Sequence, residues 1–211
     1  MKWWTYQKER FPLFQHGPLV AAFSACAVCY SSILTKTQPS LGSFVVAFFT
    51  CLCFFLQLRI ADEFKDAEED AQFRPYRAVP RGLVSLSELR NIFILTALIQ
   101  LALSIFFSPG LIIILLIGWF YLALMSKEFF ARDWLKSKPI TYLWTHMMIM
   151  PIVDFYATAC HWLPNEQRPW AGLTCFLMAS FTNGLVIEIG RKLRQPEDEE
   201  IGVPTYSKLW G

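Results

Sequence analysis

Charge is what this sequence has least of. Asp, Glu, Lys and Arg make up only 17% of its 211 residues, while 55% are hydrophobic and the mean hydropathy is positive. Soluble domains carry roughly 25% charged residues, so an ordinary soluble globular enzyme is excluded at the outset. The chain has no fixed-period repeat, no low-complexity tract and no linker long enough to separate a pair of soluble domains, and a single membrane domain over residues 1–211 is expected. Small residues that would mark a cleavage site do not follow the N-terminus. With Trp3, Trp4 and Tyr6 among Lys2, Lys8 and Arg10, it reads as an interfacial anchor rather than a removable signal. Cysteine gives no framework either. Cys26 and Cys29 have the CxxC spacing without a second pair or a nearby His, and Cys51, Cys53, Cys160 and Cys175 are scattered, so all six read as small apolar fillers between helices. The net charge of +2 identifies no partner, and no nucleic acid is expected.

What the sequence does have is long oily runs. Pro18 to Thr35, Leu41 to Leu58, Ile92 to Phe107, Leu111 to Met125, Ile140 to Leu163 and Trp170 to Ile189 are mostly of the length that crosses about 30 Å of hydrocarbon. An all-α polytopic bundle of six spans is predicted. The third and fourth runs are separated only by Ser108, Pro109 and Gly110, a tight hairpin. Ser85, Ser87 and Glu88 read as the capping region of the third span. Basic residues set the orientation: three at the N-terminus, six from Arg59 to Arg90, four from Lys127 to Lys138 and four from Arg191 to Lys208 make 17 of 19. Only Lys36 and Arg168 lie opposite, which places the N-terminus, both long loops and the tail in the cytoplasm.

Between the second and third spans runs RIADEFKDAEEDAQFRPYRAVPRG, Arg59 to Gly82. Nothing from Leu58 to Asp70 breaks a helix, so the second span is predicted to run on through it. Asp62, Asp66 and Asp70 recur every fourth residue and would line one face, each roughly 6 Å above the last. At an effective dielectric near 20, each neighbouring pair of ionised carboxylates repels by on the order of 3 kcal/mol. A cation between them removes that cost. The plain alternative is a solvated amphipathic extension with a Lys65–Glu69 surface pair. Against it stand Arg59, Arg74, Arg77 and Arg81, since acids that hold a metal beside arginines that grip phosphate oxygens make a diphosphate site.

The sixth span ends on the same membrane side with Glu188, then Arg191, Lys192 and Arg194, then Glu197, Asp198, Glu199 and Glu200. A solvated tail is the alternative there. Tyr121 sits low in the fourth span with Lys127 at its end, a ligand or a snorkelling anchor, and Trp119, Phe120, Phe129 and Phe130 suit an interfacial belt. In the fifth span Asp154 lies about midway, a position that asks for a polar cavity or a partner. His146 is two turns away, and His161 is expected at the outer interface. A transporter built on Asp154 is disfavoured, since one central acid comes without paired broken helices.

These features together resemble the UbiA-type membrane prenyltransferase family. Asp62, Asp66 and Asp70 match its first acidic motif, and RPYRAVPRG matches the loop that follows, with Ala78 where a Pro is usual. Gly202, Thr205 and Gly211 fit the latter half of its second motif. The acidic half departs, because Glu188 and Asp198 stand ten apart around GRKLRQP. Tyr121 and Lys127 look like the family's Tyr and Lys near the end of the fourth helix. The resemblance implies a Mg²⁺-dependent transfer of a polyprenyl group from its diphosphate to a small acceptor, aromatic or otherwise. It implies Asp62, Asp66, Asp70, Glu188 and Asp198 as metal ligands, and Lys127 beside the three aspartates as catalytic. Arg59, Arg77, Tyr121, Arg191 and Lys192 would bind diphosphate. Family members form a ring of nine helices, whereas six spans are read here, so a shortened homologue or a fragment is expected. A non-catalytic lipid-diphosphate-binding protein is the competing function.

Overall fold

The computed structural model describes residues 1–168, 171–200, 203 and 205–210. Every regular element among them is helical. In chain order they are α1 (Lys2–Arg10), α2 (Leu13–Thr35), α3 (Leu41–Lys65), α4 (Ala67–Phe73), α5 (Leu86–Phe107), α6 (Leu111–Ser126), α7 (Arg132–Lys136), α8 (Pro139–Met147), α9 (Ile149–Trp162), α10 (Ala171–Arg191) and α11 (Tyr206–Trp210). By length and composition α2, α3, α5 and α10 can cross a membrane, and α6 is a shorter apolar helix. The chain is therefore a polytopic helical membrane protein, as the oily runs predict. Trp170, the predicted start of the sixth span, lies outside the described residues.

Local chemistry sets the helix ends. The Ser40 hydroxyl accepts from the Ser43 N–H at 3.1 Å and starts α3. Ser85 and Glu88 form a reciprocal capping box, which starts α5 six residues before the apolar run does. At the other end of α2, Lys36 takes the left-handed conformation, φ 56°, that closes a helix.

Two predicted continuities fail. The second span does not run unbroken through the acidic stretch: α3 ends at Lys65, Asp66 stands at φ −95°, ψ 5°, and α4 begins at Ala67. Hydrogen bonds from Asp66 N–H to Asp62 O (2.9 Å) and from Asp70 N–H to Asp66 O (2.7 Å) keep the turn tight. The fifth span divides at Met148 into α8 and α9. Pro151 supplies the reason, since it brings no N–H to the Met147 carbonyl and its ring crowds that group.

Helix α9 is the centre of the bundle, packing against α2, α3, α6 and α10. Eleven of its fourteen residues are buried, among them the small Ala157, Ala159 and Cys160, and α2 buries its own small Ser24, Ala27 and Ser31, residues that let backbones close up. His161, expected at the outer interface, is buried and satisfied by Ser31 Oγ (3.0 Å) and Thr37 Oγ1 (3.3 Å). Trp119 is not part of an aromatic belt: its indole N–H donates to Gln100 Oε1 at 2.9 Å. Gln100 also accepts from Gln57 Nε2 (2.8 Å) and donates to the Thr50 carbonyl (3.1 Å). In hydrocarbon such a network ties α3, α5 and α6 because its polar groups have no water to turn to. The cysteines are all free, Cys51, Cys53 and Cys160 buried as fillers and Cys26, Cys29 and Cys175 exposed on the bundle surface.

A Cβ at Gly118 of α6 would stand 2.7 Å from Phe54 Cζ, and Phe54 is buried in α3, whereas nothing lies within 4 Å of one at Gly17. Gly118→Val is expected to destabilise by about 1–3 kcal/mol through overpacking, and Gly17→Ala to leave the thermal midpoint in lipid nanodiscs unchanged or slightly raised. Equal midpoints for Gly118→Val and the parent would mean that α3 and α6 do not meet this closely in a bilayer.

Candidate functional site

The three aspartates of the first motif face three different environments. Asp62 is 38% open, with Lys65 Nζ at 3.7 Å and Arg59 Nη1 at 3.8 Å. Asp66 is half-buried and makes no ion pair among the described residues. Burial, reinforced by the carboxylates of Asp62, Asp70 and Glu69 and opposed by Lys65, holds its carboxyl above the usual range. Asp70 is buried and fully engaged. Arg74 Nη2 lies 2.6 Å from its Oδ1, and Arg77 Nη1 donates to Oδ1 at 3.0 Å and Oδ2 at 2.7 Å. The arginines of the loop thus fold back onto the last acid of their own motif. Lys65 and Glu69 do not pair: Glu69 takes Lys136 (2.5 Å) and Arg132 (3.3 Å) from α7.

The second motif repeats the arrangement. Glu188 lies 2.8 Å from Arg191 Nη2 and 3.0 Å from Lys192 Nζ. Each motif therefore contains one buried carboxylate that fixes two cations, a group with a net charge of +1. Asp198 sits exposed on a 3₁₀ turn, Pro196–Asp198, and its backbone carbonyl accepts from Arg194 at 3.2 Å. Thr205 is buried and donates to Glu199 at 2.5 Å; Gly202 and Gly211 lie outside the described residues.

Tyr142 of α8 joins the two motifs. Lys65 Nζ donates to its hydroxyl at 2.8 Å, that hydroxyl donates to Glu128 Oε1 at 3.4 Å, and Lys192 Nζ lies 5.5 Å from its ring centroid. Its ring also stacks on that of His146 at 3.8 Å. A second link runs from the tail: Tyr76 of the arginine loop donates to Glu200 Oε2 at 3.0 Å. Arg191 has Asp62 and Asp66 among its charged neighbours. The two acidic stretches, 118 residues apart between Asp70 and Glu188, meet on one end of the bundle.

Two residues from the fourth helix are placed elsewhere. The Tyr121 hydroxyl donates to the Thr145 carbonyl at 2.7 Å, tying α6 to α8. Lys127 is exposed and outside the ion-pair cluster among the described residues. Directly after it Glu128, Phe129 and Phe130 adopt left-handed backbone at φ 47°, 52° and 58°, a costly conformation for these side chains. It turns Glu128 inward, where it is 3% exposed and 3.9 Å from Lys65. Asp154 is buried, 2% exposed, with Oδ1 unpartnered among the described residues, and the buried Ser180 hydroxyl is likewise unpartnered. His146 Nδ1 contacts the Tyr142 carbonyl at 2.9 Å rather than Asp154.

No three His, Cys, Asp or Glu side chains among the described residues stand together as a ready metal cage. The least engaged carboxylates of the first motif nonetheless suit Mg²⁺. Asp62 and Asp66 are hard oxygen ligands one turn apart, one of them open and the other without a counter-ion, and this ion needs only one or two carboxylates beside phosphate and water.

The UbiA prenyltransferase family matches residues 15–211. The chain belongs to the UbiA prenyltransferase family. It is also similar to a digeranylgeranylglyceryl phosphate synthase of Korarchaeum cryptofilum (strain OPF8), 41% identical over 148 residues that make up 69% of this chain and 48% of that protein. The chain thus spans about half the length of that curated relative. No solved structure matches it. Within this UbiA chain, Lys65, Tyr142, Glu63 and Glu128 are the site residues that motif reading misses. Only Glu63 leaves a signal, four residues after Arg59.

The division of the aspartates is measurable as stability. Asp66→Asn removes a carboxylate held among like charges. It is expected to raise the midpoint without divalent cation by roughly 2–4 °C, about 1 kcal/mol for a chain of this size. Asp70→Ala strands Arg74 and Arg77 beside a void and is expected to lower it by more than that. Equal shifts for both would mean the three aspartates are equivalent.

Proposed function

We propose that this chain is an Mg²⁺-dependent intramembrane prenyltransferase, one membrane domain over residues 1–211, acting on a polyprenyl diphosphate and a small acceptor. The observation that carries the reading is the pair of open Asp62, only loosely approached by Arg59 and Lys65, and unpaired Asp66, set beside two fixed cation groups, Asp70 with Arg74 and Arg77, and Glu188 with Arg191 and Lys192. Asp62 and Asp66 would hold the ion. The chemistry a bound Mg²⁺ supplies is neutralisation of charge that grows on the diphosphate as the allylic C–O bond breaks. Asp70 and Glu188 keep their cations pointed and immobile, so that little reorganisation is needed when the leaving group gains charge. Arg77 and Arg59 serve one side of the diphosphate and Lys192 and Arg191 the other, with Asp198, Lys127 and Tyr121 outside this inner set.

Lys65 and Tyr142, hydrogen-bonded at 2.8 Å, would close the site toward the apolar interior of the bundle. The isoprenoid tail would lie in that interior, where Met147 and Met150 pack near Gly184. The distribution of basic residues orients the site, the N-terminus and the tail toward the cytoplasm. The similar synthase is named for a digeranylgeranylglyceryl phosphate, so a glyceryl phosphate joins aromatic compounds in the acceptor class to assay.

Purified protein in lipid nanodiscs is expected to release diphosphate from geranyl, farnesyl or geranylgeranyl diphosphate only with Mg²⁺ and acceptor. Asp66→Ala is expected to lower kcat/KM by at least about 100-fold. The reading fails if the parent releases none and Asp66→Ala binds prenyl diphosphate as tightly as the parent does.

A further inference from the structure

Helix α1 lies outside the residues that the family matches, which begin at 15, yet it is fastened to the frame of the site at three points. Lys2 pairs with Glu88 at the start of α5. Glu9 takes both its oxygens to Arg81 Nη2 of the arginine loop, at 2.8 and 2.9 Å. Arg10 Nε pairs with Glu63 Oε1 of α3, where Glu63 is 1% exposed. Between these fastenings Tyr6 is buried in a small core with Ile60, Ala78, Val84 and Leu89, two of which belong to the arginine loop and its exit. A plain interfacial anchor would need none of these contacts, although Trp3, Trp4 and Phe14 remain exposed as an anchor's do.

The Arg10 contact leads to the site. Glu63 Oε1 is shared between Arg10 and Arg59, whose Nη2 stands 3.5 Å away, and Arg59 Nη1 reaches Asp62 Oδ2 at 3.8 Å. Glu63 is buried and its other oxygen has no partner among the described residues, so its charge depends on the two guanidiniums. With Arg10 in place Glu63 is largely satisfied, and Arg59 is left to face Asp62. Without Arg10, a buried carboxylate draws Arg59 to itself and away from Asp62.

We infer that Arg10 of the N-terminal helix is a positioning residue for the diphosphate site, acting through Glu63 to set Arg59 against Asp62. This rests on the prenyl diphosphate reading of that face. It gives a segment beyond the family core control over how tightly the donor is held, with the chemical step left to the groups that touch it.

The test uses the full chain in nanodiscs and a geranylgeranyl thiolodiphosphate, which binds without reacting. Arg10→Met is expected to weaken its binding about tenfold, to raise KM for the donor in parallel and to leave kcat within about twofold; Arg10→Lys is expected to recover most of the loss. In a Glu63→Gln background Arg10→Met is expected to cost little further affinity, because the carboxylate that would capture Arg59 is gone. Amide exchange should quicken over residues 59–66 and 74–84 in Arg10→Met, and stay unchanged in α9. Parent-like affinity and exchange in Arg10→Met, additive losses in the double variant, or faster exchange throughout the bundle would each overturn the inference. A parent that binds no thiolodiphosphate would overturn the donor reading alone, and the exchange pattern would still decide whether Arg10 fixes the Arg59–Asp62 turn.

Discussion

A charge at the edge of a low-dielectric bundle must be partnered, and the structure at the charged end of this protein follows from that constraint. Asp70, Glu188, Glu63 and Glu128 are all buried, and each faces cations supplied by its own segment, the loop that follows it or a neighbouring helix. Replacing water around a carboxylate costs several kcal/mol, and Coulomb attraction offsets it only where geometry and hydrogen bonds are good. Asp66, half-buried without an ion pair among the described residues, is the place where the constraint is relaxed, and a relaxed constraint at a site end is what a cation-binding function would leave behind.

The same constraint shapes the oily part. Gln57, Thr96, Gln100 and Trp119 bond to one another because hydrocarbon offers nothing else, and their mutual demands hold α3, α5 and α6 in register. Helix α9 can occupy the centre because its Ala157, Ala159 and Cys160 take little room. Its break from α8 at Met148 lets Tyr142 and His146 stack at the polar end while Asp154 stays inside.

Particular residues mark how far one-dimensional reading reaches. The spacing of Asp62, Asp66 and Asp70 locates the first motif, and the basic residues put both motifs on one side, because helix periodicity and charge bias are local or additive properties. The break at Asp66 was not legible: nothing in DEFKDAEED disfavours a helix, and the bend comes from Arg74 and Arg77 closing on Asp70 and from α7 closing on Glu69. The three aspartates, alike in the sequence, stand in different surroundings for the same reason. Lys127 stands next to a left-handed turn that propensity would not place on Glu, Phe and Phe, so the inward charge is Glu128.

The sequence by itself determined the class of the protein, a polytopic helical bundle of the UbiA family with an acid-and-arginine face at one end, because hydrophobic length, charge bias and a four-residue spacing survive without coordinates. Only the tertiary structure decided which acids are free and which are already neutralised. That depends on whether a cation comes within about 4 Å, from the next turn or loop for Asp70 and Glu188 and from a distant helix for Glu63 and Glu128. Tyr142 between Lys65 and Lys192, and Arg10 against Glu63, are contacts of that kind, made by residues about fifty or more positions apart whose spacing along the chain carries no trace of the distance between them in space.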